Sequence, residues 1–113
     1  MTPTLTAITF DCRDSGKLAA FWSELLALPV DDVAIPGYAT IPGSPSWAFI
    51  EVPEEKSAKN RVHVDLGVTD LEAGIAHAEA VGATRHGDFD EAGFRWTTFT
   101  DPEGNEFDIV ATA

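Results

Sequence analysis

Residues 61–74 read RVHVDLGVTDLEAG. Val62, Val64, Leu66 and Val68 recur at every second position, the period of a strand with one packed face. Thr69 or Asp70 then offers a side-chain oxygen to a helix N-terminus, and LEAGIAHAEAVGA carries that helix to a stop at Gly82. The same order of elements occurs earlier in the chain. With Asp14 placed on Asp70, an offset of 56 residues, AITFDCRD falls against HVDLGVTD and helix falls against helix. A unit that occurs twice constrains the fold more than any single motif does.

Working outward from the pair, LTAITFDC (5–12) alternates and carries β-branched and aromatic residues, so it reads as a strand. Asp14 and Ser15 offer cap chemistry to a helix over 16–27, where Leu18, Phe21, Trp22, Leu25 and Leu26 form one apolar stripe before Pro29. Residues 30–46 are rich in Pro and Gly, with a short strand expected at 38–41, and 47–52 reads as another strand. PEEKSAKN (53–60) is a charged linker. In the second copy, strands are expected at 85–89, 94–100 and 105–111, the last following the turn sequence DPEGN. Each unit is strand, helix, then two or three strands. The expected architecture is α+β: two tandem βαβββ modules forming an open, curved mixed sheet with a cleft, the helices on the outer face. One domain over 1–113 is expected, with module one at 5–53 and module two at 61–113.

Composition narrows the classes of function. At 113 residues with 44% apolar content and three tryptophans, the chain can bury a core of its own. One cysteine, Cys12, excludes an intrachain disulfide framework and any Cys-x-x-Cys metal site, and fits a reducing cytoplasm. MTPTLTAITF lacks a basic start followed by an apolar run, so no signal peptide is expected; no stretch is apolar enough to span a membrane. Nineteen acidic against seven basic residues give a formal charge of −12, which repels nucleic acid and anionic membrane surfaces. A Gly-rich phosphate loop, a Gly-x-Ser-x-Gly elbow and a His-Glu-x-x-His helix are all absent from the sequence.

Side chains alternate along a strand, so a helix packed on one face leaves the other for chemistry. In 61–68 the valines and Leu66 take the helix side, leaving His63, Asp65 and Gly67 opposite. In the last strand Phe107 and Ile109 form the core pair, which aims Glu106, Asp108 and Val110 away from the helix. In 47–52, Ala48, Ile50 and Val52 are expected to face the helix, leaving Trp47, Phe49 and Glu51 free. Free faces turned toward one cleft gather Glu51, His63, Asp65 and Asp108, with Trp47, Phe49 and Trp96 as apolar walls. Carboxylates and an imidazole from different strands suit a divalent cation such as Zn, Ni, Mn, Fe or Co.

The paired units, FDCRDSGKLAAFW, RVHVDLGVTDLEAG and the closing DPEGNEFDIV together resemble the vicinal oxygen chelate superfamily, in particular its small glyoxalase-like and bleomycin-resistance-like members. The resemblance covers nearly the whole chain. It implies a cleft between modules and a metal held by one residue from each module's first strand and one from each module's last. Matched by motif these are Ala7 and His63, Glu51 and Asp108. Ala7 cannot bind a metal, and Asp108 stands where relatives carry the longer glutamate. The resemblance also implies a homodimer.

Two activities follow as expectations. One is a metal-dependent lyase or isomerase, or a dioxygenase, in which His63, Glu51 and Asp108 hold the ion. Glu51 or Asp108 then moves a proton, and Trp47, Phe49, Asp65 and Trp96 contact the substrate. The other is a metal-free protein that sequesters a small planar or cationic molecule against aromatic walls.

Overall fold

The structure, a computed structural model, describes residues 1–32 and 35–112. Residues 33–34, within the Pro/Gly-rich stretch, and 113, at the close of module two, lie outside the described residues. The chain divides into two compact units, Met1–Glu55 and Lys56–Ala113.

The first unit contains β1 (Ala7–Cys12), α1 (Ser15–Leu26), β2 (Tyr38–Ile41) and β3 (Ser46–Glu51). Asp14 caps α1, its Oδ1 accepting from the Lys17 N–H at 3.0 Å, and Ala27 ends the helix in a left-handed conformation. The strands lie in the order β1-β3-β2, with β3 parallel to β1 and antiparallel to β2. Among the described residues only two strands follow α1. Pro29 and Pro36 lack the N–H that a third would need, and the stretch before β2 makes an isolated bridge, Ile35 to Tyr38.

The apolar stripe of α1 packs as its spacing requires: Leu18, Ala19, Phe21, Trp22 and Leu25 are buried. What it packs on reverses one expectation. Register pairs Ile8 with Trp47, Phe10 with Phe49 and Cys12 with Glu51, and partners in a parallel pair share a face. Trp47 stacks on Trp22 at 5.2 Å between ring centroids, Phe10 meets Trp22 edge-on, and Phe49 is fully buried. Trp47, Phe49 and Glu51 therefore face α1, and Ile50, assigned to the core by its aliphatic neighbours, is 38% exposed. Large rings bury far more area than the Ala48, Ile50, Val52 set, so the aromatic parity takes the packed face.

The second unit contains β4 (Val64–Val68), α2 (Leu71–Ala80), β5 (Thr84–Glu91), β6 (Phe94–Thr100) and β7 (Glu106–Ala111), the full βαβββ order. Asp70 is the N-cap, accepting from the Ala73 N–H at 3.1 Å. The strands run β4-β7-β6-β5, with β4 parallel to β7 and the remaining pairs antiparallel. β4 begins at Val64 rather than at Arg61, and Val62, expected in the core, is 81% exposed. Leu71, Ile75 and Ala78 of α2 are buried, as are Thr97, Phe99, Phe107 and Ile109 of the sheet, with Phe99 stacked on Phe107. Gly74 lets α2 settle close: a Cβ there would stand 3.0–3.1 Å from methyl groups of Val68 and Ile109. That contact fixes which face of β4 and β7 is packed.

Candidate functional site

With Val68 and Ile109 against α2, alternation sends Asp65 and Asp108 to the opposite face of the second sheet. The two are direct register partners across β4 and β7. His63 sits one residue before β4 and shares the parity of Asp65. Its Nε2 lies 3.2 Å from Asp108 Oδ2 and 3.4 Å from Asp65 Oδ1. One ligand atom from each of the three residues lies within 4.8 Å of the other two. The next strand adds its own residues by register: Thr98 stands opposite Asp108 and Trp96 opposite Val110. The Thr98 hydroxyl donates to Asp108 Oδ1 at 2.7 Å, leaving Oδ2 toward His63. Trp96 is stacked on Phe89 of β5 at 5.2 Å. A recess of about 430 Å³ opens on this face, lined by His63, Asp65, Asp108, Trp96, Val110, and the hairpin residues Glu91, Ala92 and Phe94.

Burial differs across the trio. The Asp108 side chain is 13% exposed, that of His63 45% and that of Asp65 62%, so Asp108 is the anchored member. The set fits a borderline divalent cation, offering an imidazole nitrogen and carboxylate oxygens and no thiolate.

The remaining expected site residues lie in the first unit. Trp47 and Phe49 are core, as described above. Glu51 projects from the α1 side of its sheet, where its Oε2 accepts from the Ser15 N–H at 3.0 Å and the Ser15 hydroxyl at 2.8 Å. Ala7 has the opposite parity, that of Thr9 and Asp11, so the two first-unit positions matched by motif do not share a face. Sequence reasoning passed over Thr98, Phe94 and Glu91. Phe94 and Thr98 share the parity of Trp96 in β6, so the alternation of 94–100 places them on the same face. Glu91 belongs to the hairpin end, where alternation gives no guide.

A family model described as the glyoxalase-like domain matches residues 7–110. The chain belongs to the glyoxalase-like family. With it comes membership of the vicinal oxygen chelate superfamily. No curated protein matches the chain. Solved structures resemble this glyoxalase-like chain over nearly its whole length. A glyoxalase/bleomycin resistance protein/dioxygenase family enzyme from Burkholderia phytofirmans superposes with a TM-score of 0.85 at 16% identity, over 98% of this chain and 100% of that one. A protein of the same description from Nocardioides gives 0.77 at 18%, over 98% and 84%. A mutant of the fosfomycin resistance protein FosX from Listeria monocytogenes, complexed with Mn(II) and 1S,2S-dihydroxypropylphosphonic acid, gives 0.81 at 12%, over 100% and 92%. At these identities the likeness is one of fold. Among the described residues of this glyoxalase-like chain, no helix is long and apolar enough to cross a membrane.

Proposed function

We propose that the chain is a small-molecule enzyme of the lyase or isomerase class, with dioxygenase chemistry as the neighbouring option. Its site is the open face of the second unit's sheet. A divalent cation (Zn, Ni, Mn, Fe or Co) is held there by His63 and Asp108, and the substrate occupies the adjoining recess against Trp96, with Asp65 at hand for polar contact. The observation that carries this reading is the convergence of His63 and Asp108 on a face that also presents an aromatic-lined recess. When bound, such an ion supplies Lewis-acid polarisation of a substrate's oxygens. The chain's own residues bind and orient: Thr98 holds Asp108, and Trp96 offers a flat apolar wall. Asp108 remains the candidate proton carrier. The expected ligand and proton-transfer roles of Glu51 are not carried forward, because the strand parity behind them is reversed. The Mn(II)-bound structural neighbour supports the metal reading at the level of the fold.

A second reading has an observation of its own. The recess is lined by three carboxylates, Asp65, Glu91 and Asp108, and by the aromatic side chains of Phe94 and Trp96, with no Lys or Arg among the described residues. That lining suits a planar cation sequestered without any metal, through stacking, cation–π contact and charge. A cytoplasmic homodimer is proposed with either reading.

Elemental analysis of protein purified without chelator, paired with native mass spectrometry, separates the two. The first reading expects about one divalent ion per chain. A metal-free protein carrying a cationic organic molecule overturns it in favour of the second.

A further inference from the structure

Asp65 and Asp108 stand at opposing register positions of a parallel strand pair. Like charges directly across two strands destabilise a sheet unless something intervenes. What intervenes is the ring of His63, whose Nε2 is 3.4 Å from one carboxylate and 3.2 Å from the other. One ring nitrogen carries at most one proton, so it can donate one well-aligned hydrogen bond and not two. Among the described residues, no Lys or Arg lines the adjoining recess to share the charge.

The same spacings have a second meaning. Nitrogen and oxygen ligands bound at about 2.1 Å from one ion stand about 3.0 Å apart at right angles and about 3.4 Å apart at the tetrahedral angle. The two distances from His63 Nε2 fall in that interval. Thr98 occupies Asp108 Oδ1, so the oxygen nearest His63 is the one that Thr98 does not hold.

We propose that Asp65 is a metal ligand, and that His63, Asp65 and Asp108 form a binding set contained wholly within the second unit. The inference rests on the metal reading above and changes the role of Asp65 from substrate contact to ligand. It also accounts for a first unit that offers Ala7, which has no donor, and Glu51, whose Oε2 already accepts two hydrogen bonds from Ser15.

The test is calorimetric titration of Mn(II), Ni(II) and Zn(II) into full-length protein freed of metal by chelator, with thermal melts alongside. Wild type is expected to bind one ion and melt higher with it. Asp65→Asn is expected to weaken binding at least tenfold while melting no lower than wild type in the absence of metal, since it removes one of two opposed charges. Asp65→Glu keeps a carboxylate and is expected to bind within a few-fold of wild type, which covers the case in which the asparagine variant folds poorly. If wild type binds and Asp65→Asn binds equally well, the role of Asp65 is overturned while the metal reading stands. If Glu51→Gln abolishes binding and Asp65→Asn does not, the set is not confined to the second unit. If wild type binds none of the three ions, the metal reading fails and this inference with it.

Discussion

Thr98 holds one oxygen of Asp108, at 2.7 Å, and leaves the other facing the imidazole of His63. A hydroxyl of this kind orients a ligand without touching what the ligand binds. Thr98→Val keeps the shape and removes the donor. Outer-shell partners of metal ligands typically contribute 10- to 100-fold in affinity. Mn(II) titration of Thr98→Val is therefore expected to show affinity about tenfold lower at unchanged stoichiometry. Equal affinities would leave Thr98 with a structural role alone.

Glu51 and Ser15 join the end of β3 to the start of α1. Ser15 is 5% exposed, so neither its N–H nor its hydroxyl finds water easily once the carboxylate is lost. Hydrogen bonds to charged groups contribute about 1.5–3 kcal/mol. Glu51→Gln keeps an acceptor oxygen but loses the charge, and is expected to cost about 1–2 kcal/mol in denaturant unfolding. An unchanged midpoint would contradict the anchoring role.

Sequence alone points to Trp47 as a ligand-stacking residue, and the structure makes it a packing residue against Trp22. Trp47→Ala is expected to destabilise by about 3–5 kcal/mol, the range for a large aromatic removed from a core. Trp47→Phe should keep the fold and leave small-molecule binding as it was. A Trp47→Ala protein of native stability with weakened ligand binding would reverse this assignment.

Glu106 supplies a pH dependence. Burial raises its carboxyl, but the Asn60 N–H bond at 2.9 Å, its own backbone N–H and the charges of Lys56 and Lys59 outweigh burial and hold it below the ordinary value of 4.5. A carboxylate depressed in the folded state binds protons more readily when unfolded, so its contribution is complete above its ordinary range and fades as pH falls below it. Wild type should therefore lose stability between pH 6 and pH 3 more steeply than Glu106→Gln. Parallel slopes for the two proteins in urea melts across that range would remove Glu106 from the account.

Most of the second unit was legible in its residues, and the reason is local. Val64, Leu66, Val68, Phe107 and Ile109 are uniformly apolar, so one parity is unambiguous and His63, Asp65 and Asp108 must take the other. The first unit misled at β3 because both parities are apolar there. Trp47 and Phe49 compete with Ala48 and Ile50, and only the register with Phe10 and the fit against Trp22 decide the matter. Glu51 followed its strand to the helix side. Thr98 escaped notice because a threonine in a strand is most often there for its β-branched shape, and its partner is visible only once β6 and β7 are aligned.

Asp65 and Asp108 lie on the first and last strands of their unit, with His63 just ahead of the first, and the parallel pairing of β4 with β7 brings them side by side. No nascent chain can assemble this grouping before β7 emerges. Anything bound across it fastens the unit's two ends together, as a clasp closes a bracelet. Occupancy should then slow amide exchange across the whole second sheet, β5 included, rather than only at the residues in contact.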